Sequence, residues 1–413
     1  MPRQTAGRRE LPAQPSAPEK PAVTHDLSTS LLIVMAVACG VFVANVYYNQ
    51  PILELLQLAF PREVGLINLV PTATQLGFAC GLFLLVPLGD RIDRRKLILW
   101  QAAVLIVALA CLAAAPNAWC LVITSVIVGV AASATQQIVP FAAELAPSGR
   151  RGQVVGTVMS GVLCGILLGR AVGGLTGDHW GWRATFWLGA AMTALVWLLL
   201  LFKLPHSKPA TRHSYFALMK SLVELWREER SLRRATCIQA ALFGAFIGLW
   251  TILALRLHQA FGLGADIAGL MGIVGAAGIL IAPLAGRVAD RRGPHAVIGL
   301  GSLIMLLSYG VLGLWGSLGG LIVGIILLDF GEQSALISNQ HVVYALRPEA
   351  RSRLNTLFMS GMFVGAAAGS WGANISWRLG GWHAASVFGG VLVLIGLVLH
   401  AYGRLAARAN PRN

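Results

Sequence analysis

Twelve runs of roughly twenty apolar residues divide this chain, and no other feature constrains its fold as strongly. A helix rises about 1.5 Å per residue, so such a run matches the hydrocarbon thickness of a bilayer. The runs fall at residues 30–50, 65–86, 97–115, 118–143, 153–176, 184–203, 235–257, 264–285, 296–315, 319–345, 354–376 and 382–403. A membrane β-strand would alternate apolar and polar residues over about ten positions. Residues 184–203 show no such alternation. Only 12% of the side chains are charged, about half the share of a soluble chain, which excludes a water-facing globular protein and a disordered one alike. An all-α membrane protein with twelve transmembrane helices is the expectation.

The net charge of +15 suggests nucleic acid until its placement is read. Of the 32 Lys and Arg, 27 lie in the termini and in alternate connections starting from the N-terminus. Arg62, Arg183, Arg256 and Arg378 occupy the other side, and Arg170 lies inside a span. Basic residues collect on cytoplasmic loops, so both termini are expected in the cytoplasm, in keeping with a bacterial inner membrane, and no nucleic-acid partner is expected. The Pro-, Arg- and Ala-rich residues 1–29 read as a disordered cytoplasmic tail, without the apolar core of a signal peptide. The six cysteines form no CxxC pair and no ligand-like cluster with His, so neither a disulfide, a metal site nor a cofactor is expected.

A shift of 200 residues superposes the signposts of the chain. Asp90-Arg91 falls on Asp290-Arg291, Arg151 on Arg351, Gly165 and Gly169 on Gly365 and Gly369, and Gly181-Trp182 on Gly381-Trp382. Two six-helix halves, 30–203 and 235–404, are therefore expected as parallel repeats around a central site, with a short tail at 405–413. The connection at 204–234 spaces Tyr215, Leu218, Leu222 and Leu225-Trp226 as one helix face beside Lys220, Arg227, Arg230 and Arg233. Such a helix either lies on the inner membrane surface or packs as a linker against the bundle.

The loop Gly286-Arg-Val-Ala-Asp290-Arg291-Arg-Gly293 closely resembles the signature loop of the major facilitator superfamily. Its counterpart from Val86 to Lys96 keeps Asp90 and Arg91 but carries Val86 and Asp93 in place of the two glycines, so a looser turn is expected there. Span 5, with Gly156, Gly165, Gly169, Gly173 and Gly174, is similar to the motif of drug and sugar efflux antiporters, except that Arg170 stands where that motif has proline. Span 4 has Ser125 where many members carry arginine. The resemblance implies the major facilitator fold, a monomer in membrane lipid, and a small-molecule substrate moved against protons.

Three groups of residues then acquire candidate roles. Asp90 and Asp290 follow the ends of spans 2 and 8. They could face the positive N-termini of spans 11 and 5 in the opposite half, with Arg91 and Arg291 as partners, or remain solvated loop charges. Glycines 165, 169 and 173 form a stripe at i, i+4 and i+8, suited either to a seam between the halves or to ordinary helix packing. Arg170, Asp329 and Glu332 lie deep in the apolar runs, where ionisable groups mark function or a partner. Asp329 sits roughly 15 Å inside span 10 and Glu332 one turn further, so the pair shares a face. Arg170 opposite this pair would make a proton-coupling site; a static buried ion pair is the alternative.

Amides complete the central-site candidates: Asn45, Asn49, Gln75, Gln136, Gln137, Gln239, Gln333, Asn339 and Gln340. Tyr48 joins them, although one of Tyr47 and Tyr48 suits the interfacial belt. Glu54, Arg256, His258 and Asp266 are expected to face water at outer span ends. Proton-coupled uptake on the same scaffold remains the alternative to export. A membrane enzyme is disfavoured by the lack of an HExxH helix or GxSxG elbow, an ATP-driven pump by the lack of a P-loop, and a sensor by the lack of a soluble signalling domain.

Overall fold

The computed structural model describes residues 27–147, 149–207, 214–280, 293–347 and 350–409. Its helices are α1 (Thr29–Tyr47), α2 (Leu53–Ala59), α3 (Val64–Ile67), α4 (Leu69–Leu85), α5 (Arg94–Ala113), α6 (Ala118–Ala132), α7 (Thr135–Leu145), α8 (Arg151–Trp180), α9 (Trp182–Lys203), α10 (Tyr215–Glu228), α11 (Arg230–Phe261), α12 (Ala265–Leu280), α13 (Pro294–Leu314), α14 (Leu318–Leu346) and α15 (Arg351–Ala409). Among the described residues, ten helical stretches are long and apolar enough to cross a membrane. One of them, α15, is two spans: its backbone breaks at Gly380 and Gly381, with φ of −154° and +59°. Its first arm runs parallel to α11, Gly361 meeting Thr236 and Gly369 meeting Gly244. Its second arm returns, with Gly396 at Leu242 and Gly403 at Arg234. With α12 as the span between α11 and α13, twelve crossings result. Connections therefore alternate between two faces, called here the basic face, which holds the start of α1, and the opposite face.

Local chemistry sets the interruptions. The chain turns after Tyr47, ahead of Pro51, and α2 and α3 form a cap on the opposite face that apolar periodicity alone does not reveal. The run at 118–143 breaks into α6 and α7. Ser133 donates to the Val130 carbonyl at 2.7 Å and Thr135 to that of Ala132 at 3.1 Å. These hydroxyls compete with the backbone ladder, and Pro140 lacks an N–H to continue it. The turn at Asp93 is tied rather than loose. Its carboxylate caps α5 through the Arg95 N–H at 2.9 Å and accepts from the Ser207 N–H at 3.0 Å and from His206 at 2.8 Å. Asp93 has φ −57°, open to any residue, whereas its repeat partner Gly293 has φ +82°, which favours glycine.

The glycine stripe of α8 packs within its own half. A Cβ at Gly165 would lie 2.2 Å from the Gly40 carbonyl oxygen, one at Gly169 2.9 Å from the Ala44 Cα, and one at Gly173 3.1 Å from the Tyr48 ring. In the second half Gly365 and Gly369 meet Ala240 and Gly244 of α11 in the same way. Small residues let helix backbones touch in lipid, so the stripe joins α8 to α1 and is not the seam between halves. Gly156 has open space around it among the described residues. Of the two arrangements open to α10, the packed one is observed: Leu222 and Leu225 are buried with Leu232, Val343, Leu354 and Phe358.

The halves meet through α8 against α12 and α4 against α15. On the opposite face Asn374 donates to the Asn68 carbonyl at 3.0 Å, and Thr72 to Ser370 at 3.1 Å. The Phe78 and Phe363 rings follow, 4.5 Å apart. Towards the basic face a groove of about 450 Å³ runs along the same two helices, walled by Phe83, Leu84, Leu357 and Val364 and by Val223 and Trp226 of α10, with Leu84, Val223 and Val364 exposed on the outer side of the bundle.

Candidate functional site

Three helices bring the deep ionisable residues to one level. On α8, Leu167, Arg170 and Gly174 share the face turned to α12. A Cβ at Gly272 would lie 3.3 Å from the Arg170 Cβ, and one at Gly275, one turn on, 2.9 Å from Asp329 Oδ1. Arg170 from the first half and Asp329 from the second thus abut neighbouring glycines of one helix. Arg170 is 3% exposed, Asp329 4% and Glu332 0%, so all three are buried.

Arg170 is held by rings and an amide, not by a direct ion pair. Its guanidinium carbon lies 4.0 Å from the Trp250 ring centroid, 4.8 Å from Tyr47 and 5.8 Å from Phe246, and its Nε donates to Gln50 Oε1 at 3.0 Å. A desolvated cation over a ring gains about 2 kcal/mol, which helps a charge persist in hydrocarbon. Asp329 is near enough for its charge to act on Arg170, but no N–O approach within 4.0 Å joins them. Glu332 accepts from Gln239 Nε2 at 3.1 Å, and Gln239 accepts from Asn339 Nδ2 at 3.3 Å. Arg170 Nη2, Gln50 Nε2, Trp250 Nε1, Asp329 Oδ2 and Glu332 Oε2 have no partner among the described residues.

The remaining candidates divide. Gln75 is fully buried with both amide atoms unpartnered among the described residues, and Asn49 donates to Thr74 at 2.8 Å. Asn45 bonds the Val41 carbonyl and Thr193 of α9, inside the first half. Tyr48 packs against Gly173 and Gly189, again away from Arg170, so the tyrosine of the site is Tyr47. Gln137 ties α7 to the Leu85 carbonyl at 2.6 Å, and Gln340 contacts Met359 Sδ, both structural tasks. Gln136 and Gln333 are half-buried. Phe246 and Trp250 are not among the central-site candidates, because rings in an apolar span carry no pattern that marks them; Gln50 belongs to the polar end of span 1 with Asn49, and its amide character is the signal that could have found it.

Asp90 turns into its own half: Arg94, not Arg91, pairs with it at 2.7 Å and with Glu144 at 3.1 Å. Arg94 occupies the first turn of α5 and is buried, whereas Arg91 is exposed. Gly286, Asp290 and Arg291 lie outside the described residues. A carboxylate does meet a helix start in the other half, but on the opposite face, where the Ala265 N–H donates to Asp178 Oδ1 at 3.2 Å. Beside it Glu54 and His258 pair across the halves at 3.1 Å, instead of facing water separately. Partial burial lifts the Glu54 carboxyl above its ordinary value, while His258 pulls it down and Asp178 adds to the rise.

The profile of the Major Facilitator Superfamily matches residues 30–295 and 235–413. The uncharacterized transporter YgaY of Escherichia coli O157:H7 is 37% identical over 379 residues, covering 91% of this chain and 96% of that protein. The multidrug resistance protein MdtG of Salmonella paratyphi A is 28% identical over 232 residues, covering 53% of this chain and 55% of that protein. The crystal structure of a D-xylose-proton symporter superposes with a TM-score of 0.69 at 19% identity, over 90% of this chain and 96% of that one, a likeness of fold. The chain belongs to the Major Facilitator Superfamily. It is an integral, multi-pass membrane transporter rather than an enzyme by family.

Proposed function

We propose that this transporter exports a small organic solute in exchange for protons, by alternating access between its two halves. The observation that carries the reading is the buried approach of Arg170 from one half to Asp329 from the other at Gly272 and Gly275, with Glu332 buried one turn along from Asp329. Ionisable groups at such depth cost a contested few kcal/mol or more and persist where they serve a pathway or a partner. Rocking the halves changes the separation between Arg170 and the carboxylates. Protonating one carboxylate changes the attraction across that gap, so the two events are energetically linked. Gln50, Tyr47, Trp250, Asn49 and Gln75 supply rings and amides for a solute beside the cluster.

The excess of Lys and Arg favours the basic face as the cytoplasmic one. Asp178, Glu54–His258 and Asn68–Asn374 form the outer closure, while Asp90 and Asp290 serve the inner one when the halves swing the other way. The bacterial relatives favour a cytoplasmic membrane, and the twelve-helix body suits a monomer surrounded by lipid. Export is supported by the span 5 resemblance and by the partial likeness to MdtG.

Proteoliposomes containing the purified protein and a trapped pH dye, with an imposed pH gradient, test this against a panel of drugs, sugars and metabolites. Solute moving opposite to protons supports the reading. Solute moving with protons replaces export by uptake. Absence of solute-dependent proton flux across the panel, with folded protein, overturns proton coupling.

A further inference from the structure

Within the second half a cavity of about 420 Å³ lies at the basic face, apart from the groove along α4 and α15. Arg234 lines it from α11, His295 from the start of α13, and His400 and Arg404 from the second arm of α15, above a floor formed by Asn339. No carboxylate is among its described lining residues. Ile238, Ile298, Val342 and Leu346 supply apolar wall. His400 is buried and its ring lies 5.8 Å from that of His295. Arg234 has no carboxylate partner among the described residues; Nη1 donates to the Gly403 carbonyl at 3.3 Å. Gly403 is what lets it lie there, because a Cβ would fall 2.5 Å from the Arg234 Cδ.

We propose that this cavity is a binding site for a phosphate-bearing anion, either free phosphate or the headgroup of an anionic phospholipid. Guanidinium groups suit phosphate because their planar N–H donors match its oxygens. Two arginines supply positive charge and two imidazole rings supply further hydrogen-bonding nitrogens around a pocket with no carboxylate among its described lining residues, and its apolar wall accommodates the glycerol end of a lipid. The floor residue Asn339 donates to Gln239, which donates to Glu332, so the site lies two hydrogen bonds from the buried carboxylate. The binding inference does not depend on the direction or coupling of transport.

The test measures the thermal shift of detergent-purified full-length protein with inorganic phosphate, short-chain phosphatidylglycerol and short-chain phosphatidylcholine, and direct binding by native mass spectrometry. Saturable binding of phosphatidylglycerol alone, or of phosphate as well, supports the site and distinguishes its source. R234Q/R404Q should weaken that binding at least tenfold, and R234K/R404K should retain most of it. H400Q provides a second variant, expected to weaken binding if the arginine pair impairs folding. Equal binding of all three probes, binding of none, or undiminished binding by folded R234Q/R404Q overturns the proposal.

Discussion

Replacing Gly174 by alanine should push the molecule out of the conformation described here. A Cβ at that position would stand 2.2 Å from the Ala265 carbonyl oxygen and 3.0 Å from the Gly269 Cα. Both obstacles are backbone, so no rotamer relieves them, and α8 and α12 must separate by about an ångström to restore van der Waals contact. Overpacking of this kind costs about 1–3 kcal/mol. At 1.4 kcal/mol per decade, the equilibrium moves roughly 5–150-fold away from the state closed on the opposite face. Where the closed state dominates at the outset, the open fraction rises by about the same factor until it becomes the major form. Ser370 reports the change: it is fully buried and hydrogen-bonded to Thr72 across the halves. With the six native cysteines replaced, Ser370→Cys should react slowly with a membrane-impermeant maleimide, and adding Gly174→Ala should raise the reaction about fivefold or more. Unchanged labelling in a folded double variant would refute the assignment of this contact as a closing surface.

Other expectations follow from the same packing and charge arguments. Asp329→Asn and Glu332→Gln should each leave expression and monodispersity intact while suppressing solute-dependent proton flux at least tenfold in pH-dye proteoliposomes; wild-type proton coupling in both would remove them from the mechanism. Asp93→Ala removes a helix cap and should cost about 0.5–2 kcal/mol, seen as a lower melting temperature at neutral pH. Partial burial alone would raise the Asp93 carboxyl, but hydrogen bonds from His206, Ser207 and Arg95 prevail and hold it below its ordinary value. Its contribution is therefore present above the unfolded value near 3.8 and is lost as pH falls through the lower folded value, so the melting temperature of Asp93→Ala should approach that of wild type under acid. Gly181 has φ +84° at the α8–α9 turn, where its repeat partner Gly381 also has positive φ; Gly181→Ala should cost about 1–3 kcal/mol by thermal unfolding, and an unchanged melting temperature would contradict the strain argument.

The spans were legible because hydrocarbon imposes a length, and the repeat because equivalent turns place Gly181 and Gly381, or Arg151 and Arg351, at one interval. Arg170, Asp329 and Glu332 were visible because charge in an apolar run has no bland counterpart. Helix faces were much less legible. In water, polarity tells the inside of a helix from the outside, whereas in lipid both sides are apolar. Tyr47 and Tyr48 therefore read alike although they point to different neighbours, and the α8 glycines read as a seam although they clasp α1. Trp250 and Phe246 could not be told from belt or core rings without the third dimension. The choice of Arg94 over Arg91 as the partner of Asp90 depends on the first turn of α5, which places Arg94 at i+4.

The aromatic enclosure of Arg170 also sets a problem of timing for the growing chain. Tyr47 and Gln50 precede Arg170 in the sequence, but Phe246 and Trp250 follow it by about 80 residues. At synthesis rates of about 5–20 residues per second, a guanidinium inserted with the first half waits roughly 4–16 seconds for its main ring partner to leave the ribosome. During that interval the nascent first half holds a cation met by one ring and one amide. The enclosure of the first half's buried cation is therefore completed only by the second half.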